Sequence, residues 1–309
     1  MQNERAVALA TNVVPRLYEE FALEVDVVVI LVDLPSNPDL QVRGAMLTVT
    51  AGPPGIGTLT PSLPQLAGLS SRLKGVLILY HYQGLSGGPF LHEFAHLFAN
   101  HLGGPLGDNA PYQTHWGFND VGGQLGGWAK GTLVELGDGA YRAEGPNGGR
   151  FNPIANGGNS IPYAPLELYL MGLLPAPDVP PILQALDPVV IQHSDEGTEF
   201  TASGFRTVTI DDIIRDNGPR DSDGAAGQTA FSAACLVIRD SVWDDAFNIP
   251  IGAQVFFMEA PDQEIQQLSA EWAAALTGND ASDLSEEVKT AALDDFVQAI
   301  HGMPANAVK

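Results

Sequence analysis

The chain has 309 residues, with 14 Lys and Arg against 37 Asp and Glu, so its formal net charge is −23. A charge of this size repels phosphate groups, which argues against nucleic acid and anionic membranes as partners. Hydrophobic residues make up 45% of the chain, which is enough for a buried core and excludes an intrinsically disordered protein. The single cysteine, Cys235, excludes an internal disulfide and a cysteine-rich metal site.

The first third of the chain predicts an α/β arrangement. In chain order, the patterns predict a helix at 5–20, a buried strand at 25–34, an irregular Gly- and Pro-rich connection at 51–64, a buried strand at 74–82 and a helix from 89 to about 102. Pro15 threatens the continuity of the first helix. The last helix is the clearest, because Pro89 suits its first turn and Gly103 and Gly104 follow its end.

The remaining two thirds predict a looser mixture of elements. In chain order these are glycine-dense short strands and loops at 103–158, a helix at 165–173, a strand near 205–210, a short acidic helix at 211–216, a strand at 231–239 and helices at about 262–276 and 285–300. We therefore predict the α+β class, as a single domain over residues 1–309. Within it, an N-terminal α/β lobe covers 1–103 and a loop-rich C-terminal lobe covers 104–309.

No membrane anchor is predicted for this sequence. The longest strongly apolar runs have the length of a strand, too short to cross a bilayer. The first residues carry Glu4 and too short an apolar stretch for a signal peptide. The compartment therefore stays open: the protein would be secreted if a leader has been removed and cytoplasmic otherwise.

The motif His92-Glu93-Phe94-Ala95-His96 contains residue types that can bind a metal ion and transfer a proton. Residues four apart share one face of a helix, so the imidazoles of His92 and His96 can reach one metal ion. Glu93 lies beside them, where it can take a proton from a metal-bound water. The alternative is a pair of core or surface histidines that match the motif by coincidence. An apolar stripe at helical spacing, about 120° from the histidines, predicts the packed face of this helix: Leu91, Phe94, Ala95, Phe98 and Leu102.

A hydrolytic zinc site requires a third protein ligand and an open position for water. His115 is the first candidate, because it follows a glycine-containing loop that can turn back toward the helix. Glu167, on the predicted helix at 165–173, is the carboxylate alternative. His101 has rotated about 140° from His96 on a continuous helix, and Asp108 and Asp120 are weaker candidates on loop segments.

The order of HExxH, a loop, His115-Trp116 and the glycine-rich residues 122–127 resembles the metzincin metallopeptidases, particularly the leishmanolysin-like branch. The resemblance covers about residues 75–175. It implies a zincin fold with Zn²⁺ bound by three histidines, which match His92, His96 and His115 here, and a glutamate base, which matches Glu93.

Two positions depart from the family pattern. The family has a methionine-containing turn beneath the metal, and Leu125 stands in the methionine's place. The compact metzincin pattern has Gly where this chain has Ala99, so Gly103 or Gly104 would supply the turn.

These observations predict a zinc metalloendopeptidase that hydrolyses peptide bonds of a protein or peptide substrate. Tyr163 and Tyr169 are the nearest phenols that could help to stabilise an oxyanion. Two alternatives stay open: a gluzincin-type site with Glu167 as the third ligand, and a catalytically silent metal-binding scaffold or binding module. The intact Glu93 favours the enzyme over the scaffold.

Overall fold

The computed structural model of this chain describes residues 2–33, 44–50, 62–80, 84–85, 87–98, 102, 104–107, 114–220, 228 and 231–239. The helices predicted at 262–276 and 285–300 lie outside the described residues, as does most of the connection at 51–64. Within the described residues, a few helices combine with several β-sheets. This mixed architecture is consistent with the α+β class predicted above.

The elements of the described part follow one another along the chain as helices α1–α5 and strands β1–β10. They are α1 (Gln2–Glu20), β1 (Val27–Asp33), β2 (Gly44–Thr48), β3 (Gly75–Leu79), α2 (Phe90–Ala95), α3 (Gly104–Gly107), β4 (Val134–Gly137), β5 (Ala140–Ala143), α4 (Pro165–Met171), β6 (Ile182–Leu186), β7 (Val189–Ser194), β8 (Gly197–Thr201), β9 (Gly204–Val208), α5 (Ile210–Asn217) and β10 (Ala233–Arg239).

The central sheet has the strand order β10-β1-β3-β2. Strand β1 is parallel to both β10 and β3, whereas β2 is antiparallel to β3 at the edge. Strand β1 is buried on both of its faces, which explains its continuous apolar sequence. Val29 and Leu31 face one hydrophobic core, and Val28, Ile30 and Val32 face the other. Helix α1 belongs to the second core, and helix α2 packs on the first.

Helix α1 continues through Pro15, contrary to the expected break. Its apolar residues Ala6, Ala10, Val14 and Leu17 recur at helical spacing and are all buried. Burying Val14 and Leu17 contributes roughly 1.5–3 kcal/mol each, comparable with the cost of about 3 kcal/mol for an interior proline. Tertiary packing therefore holds the helix together where local propensity opposes it.

Helix α2 is shorter than the predicted helix at 89–102. It ends at Ala95, and the amides of His96, Leu97 and Phe98 then bond to carbonyls three residues earlier, which is the tighter 3₁₀ pattern. All five residues of the predicted apolar stripe are buried.

The C-terminal part contains two further sheets. One has the order β4-β5-β8-β7 and the other pairs β6 with β9, all antiparallel. An aromatic core of Phe118, Trp128, Phe151 and Phe200 lies beneath them. The short strands expected in 103–158 and the strand near 205–210 are confirmed. Strands β2, β6, β7 and β8 were not predicted, and β7 is exposed along its whole length, so burial did not shape its sequence.

The division of the domain into two lobes at residue 103 stays a prediction. Strand β10 enters the central sheet from residues 233–239, so this sheet uses chain from both sides of that boundary. One hydrophobic cluster likewise joins Leu77 and Phe94 to Tyr169 and Ile213. No helix in the described ranges is long and apolar enough to cross a membrane.

Asp26 fastens the central sheet where three of its strands begin. Its carboxylate, only 2% exposed, accepts hydrogen bonds from the backbone and hydroxyl of Ser232, which precedes β10. It also pairs with Lys74, which precedes β3, at 3.1 Å and with Arg72 at 2.9 Å. Burial alone would raise the pKa of Asp26, but the bonds from Ser232 and Lys74 outweigh it and lower the pKa to about 2.

This lowered pKa predicts an acid-dependent loss of stability. Because the carboxylate has a lower pKa when folded than its ordinary value of 3.8, its contribution is complete above that value and disappears as the pH falls toward 2. We expect Asp26→Asn to lower the free energy of unfolding by about 2 kcal/mol at neutral pH. The difference from the wild type should vanish between about pH 4 and pH 2 in chemical denaturation. Asp195→Asn, at an exposed position, is the control. A loss of unfolding free energy in Asp26→Asn that stays the same at low pH would contradict this role.

Candidate metal centre

Helix α2 brings the first two histidines into the interior. The rings of His92 and His96 lie 5.0 Å apart between centroids, and both side chains are buried. The helix is anchored from a distant segment: the Asn159 side chain accepts a hydrogen bond from the Leu91 amide at 3.1 Å, and the Tyr163 hydroxyl donates to the Leu91 carbonyl at 2.9 Å. Contacts from residues 159–163 thus hold the turn that carries His92.

His115 completes a cluster of three imidazoles. Its ring centroid lies 5.4 Å from that of His92 and 4.9 Å from that of His96. One ligand nitrogen from each of the three residues lies within 4.8 Å of the others. Nitrogens bound to a tetrahedral Zn²⁺ at 2.0–2.1 Å stand about 3.4 Å apart, so small ring rotations would close the site around an ion.

The chemistry of the three donors fits a metal ion. Burial lowers the pKa of His92, and burial together with the neighbouring His92 lowers the pKa of His115 to about 3. Both imidazoles are therefore neutral, the form that coordinates metals. The Nδ1–H of His92 donates to the Gln124 carbonyl at 2.7 Å, which leaves Nε2 with the free electron pair. Three imidazoles suit Zn²⁺ and also other transition-metal ions.

Glu93 lies in the same helical turn and is only 8% exposed. Burial raises its pKa to about 8, and a hydrogen bond from the Met46 amide opposes that shift. Strand β2 closes over this side chain at Gly44, where a Cβ atom would stand 2.6 Å from Cγ of Glu93. Strand β2 and Gly44 were not singled out from the sequence, because their proximity to Glu93 is a long-range contact.

Glu167, the carboxylate alternative for the third ligand, is not among the three clustered residues. Its side chain is 1% exposed, and its two oxygens accept four hydrogen bonds, all from N–H groups. Burial raises the pKa of Glu167, and the four donors oppose that shift. The lone pairs that a metal would use are directed at protein donors, which argues against Glu167 as a third ligand.

The other sequence candidates have different positions. Asp120 accepts hydrogen bonds from the Lys130 ammonium and the Leu183 amide, an arrangement that joins two loops. His101 and Asp108 lie outside the described residues. Tyr163 was expected as a possible oxyanion donor, but its hydroxyl is bonded to helix α2. Tyr169 is buried in the hydrophobic core.

The glycine-rich turn at 122–127 packs beside the cluster. Leu125 is fully buried in the core that also contains Leu91 and Phe94. Gly126 and Gly127 have φ angles of 99° and 86°, a backbone conformation that residues other than glycine rarely adopt. Gln124, between these groups, contacts His92 directly, a role that the turn pattern alone did not indicate.

Comparisons with protein-family models, curated proteins and solved structures found no match to this chain. The interpretation of the site therefore depends on its own geometry and chemistry.

The geometry predicts a strong effect of removing the third imidazole. We expect His115→Ala to weaken Zn²⁺ binding by more than about 100-fold, because first ligands contribute more than the outer partners that are worth 10–100-fold. His193→Ala is the matched control, since His193 bonds to Thr198 on the distant strand β8. Competition with a chromophoric chelator measures both dissociation constants. Equal Zn²⁺ affinities in the two variants would show that His115 is not a ligand.

Proposed function

We propose that this chain is a zinc-dependent metallopeptidase of metzincin type that hydrolyses peptide bonds in protein or peptide substrates. The observation that carries the proposal is the cluster of three buried imidazoles, with ligand nitrogens within 4.8 Å, next to the buried carboxylate of Glu93. Three protein ligands leave a fourth position for water, as in catalytic rather than structural zinc sites.

In this proposal His92, His96 and His115 hold the ion. A bound Zn²⁺ supplies Lewis-acid chemistry, because it lowers the pKa of water and polarises a carbonyl group. Neutral imidazoles leave the ion with its full positive charge, which maximises both effects. The hydrogen bond from His92 to Gln124 keeps the ring in one tautomer and orientation.

Glu93 is the proposed general base. Its carboxylate accepts the proton of the attacking water at an Oε atom and then delivers it to the nitrogen of the leaving amine. Burial increases the proton affinity of this carboxylate, which suits a group that must both take and release a proton near neutral pH. The Met46 amide holds the side chain in place during this exchange.

The metzincin type is supported by the order of the parts. The third histidine comes from a loop after the active-site helix, and a tight glycine-rich turn with the buried Leu125 follows it. The proposal also accounts for Glu93. A catalytically silent scaffold has no use for a carboxylate that is 8% exposed, because burying such a group costs stability without a compensating role.

Replacement of the base tests the proposal most simply. We expect Glu93→Gln to bind one equivalent of Zn²⁺ but to lower kcat/KM for a quenched fluorescent peptide library by roughly 10²–10⁴-fold. The amide keeps the shape of the carboxylate and removes only its basicity. Glu135→Gln, at an exposed position on strand β4, is the control and should match the wild type. A zinc-loaded Glu93→Gln with full activity would exclude Glu93 as the base.

A zinc-loaded wild type without peptidase activity would instead favour the silent metal-binding scaffold.

A further inference from the structure

Glu167 has a hydrogen-bonding arrangement that exceeds what a helix terminus requires. Its Oε1 accepts bonds from the indole of Trp116 and the amide of Leu125, each at 2.8 Å. Its Oε2 accepts bonds from the amides of Gln124, at 3.1 Å, and Ala164, at 2.8 Å. The usual bond from the N-cap amide to a glutamate three residues later in the helix accounts only for the Ala164 contact. All four partners are N–H donors, so they match the charged form of the carboxylate, whose oxygens only accept hydrogen bonds. A protonated oxygen would direct its O–H at another donor.

One peptide group connects this carboxylate to the candidate metal centre. The peptide between Gln124 and Leu125 donates its N–H to Oε1 of Glu167 at 2.8 Å. The carbonyl of the same peptide accepts the Nδ1–H of His92 at 2.7 Å. Carboxylate, peptide and imidazole therefore form an unbroken series of hydrogen bonds that ends at the ring of a metal ligand.

We propose that Glu167 is a positioning residue for the metal centre, acting through a carboxylate–peptide–histidine relay that orients His92 and strengthens its Nε2 as a ligand. This inference rests on the proposed metal site and deepens it. The relay is the counterpart of a direct carboxylate–histidine pair, with one peptide group inserted between the two side chains.

The relay has a physical basis in cooperative polarisation. A charge at one end of a hydrogen-bonded series increases the dipole of the peptide in the middle, so its carbonyl accepts more strongly from His92. A stronger acceptor at Nδ1–H raises electron density on the ring and hence the affinity of Nε2 for a cation. The effect is large here because Glu167 is 1% exposed, so water screens the charge little.

The same carboxylate also reaches the segment that carries the third ligand. Trp116, next to His115, bonds to Oε1 through its indole, and its amide donates to the Leu125 carbonyl at 2.8 Å. Gly123 closes this arrangement, because a Cβ atom there would collide with the carboxylate of Glu167. Two of the three proposed ligands are thus positioned from one buried charge.

Zinc affinity is the first measurement that tests this role. We expect Glu167→Gln in the full chain to weaken Zn²⁺ binding by about 10–100-fold, because the amide removes the charge and turns an NH₂ group toward N–H donors. Asp120→Asn is the matched control: it removes another buried carboxylate with an amide and an ammonium partner, but one that does not contact the cluster. Its affinity should stay within about 2-fold of the wild type. Unchanged affinity in a folded Glu167→Gln would overturn the relay.

The wild-type protein provides a second test that does not depend on the stability of a variant. In NMR spectra of the metal-free protein, we expect His92 to carry its proton on Nδ1. On titration with Zn²⁺, the Nδ1–H of His92 and the amide proton of Leu125 should both move downfield in step, because each bond in the series strengthens the next. The Ala164 amide, bonded to the other oxygen of Glu167, should move less. A proton on Nε2 of His92, or a Leu125 shift no larger than that of Ala164, would overturn the relay.

These outcomes are independent of the outcome for catalysis. A wild type that binds Zn²⁺ through the relay but cleaves no peptide would overturn the proposed peptidase and support the relay. An active enzyme whose Zn²⁺ affinity is the same in the wild type and Glu167→Gln would support the peptidase and overturn the relay.

Discussion

A buried carboxylate must be surrounded by hydrogen-bond donors, and the chain around the histidine cluster is arranged to meet that requirement for Glu167. The four N–H groups come from three separate segments: the loop that carries Trp116, the turn at 122–127 and the start of helix α4. Residues without a regular helix or strand are thereby held together by one charge. Glycines such as Gly123 follow from the same constraint, because backbone must approach the carboxylate closely.

Helix α2 connects this polar centre to the central sheet. Its apolar side packs on the sheet, and its first turn is held by Asn159 and Tyr163 from the C-terminal part. Asp26 is a second buried carboxylate that joins separate segments, because its contacts connect the starts of three strands of the central sheet. Among the described residues, exposed carboxylates such as those of Glu135, Asp195 and Glu196 belong to neither the site nor these two anchors, and they add charge to a solvated surface.

Local spacing was sufficient to predict the helix with His92 and His96 on one face, since four residues make about one turn. The choice between His115 and Glu167 was not local. Both residue types can bind zinc, and only the distant donors at Trp116, Gln124 and Leu125 show that the Glu167 carboxylate is already occupied. The strands β1 and β3 were evident from continuous apolar runs, whereas the exposed β7 carries no such burial signal.

The length of helix α2 and the continuity of helix α1 also differ from what the local sequence predicts. Local propensity favoured a break at Pro15, which burial of the apolar face of α1 overrode, and a helix over 89–102, of which α2 forms only Phe90–Ala95. The α+β class was accessible from the order of elements. The approach of strand β2 to Glu93 could not be predicted, because the local sequence of Gly44–Thr48 contains no information about which distant residue it contacts.

The central claim is that three imidazoles form one metal centre, and anomalous diffraction from a Zn²⁺-loaded crystal at the zinc absorption edge tests it most directly. The account predicts a single strong peak within about 2.0–2.2 Å of nitrogens from His92, His96 and His115, with the carboxylate of Glu167 still bonded to the protein. A zinc peak coordinated by Glu167, or no peak among the three histidines, would contradict it.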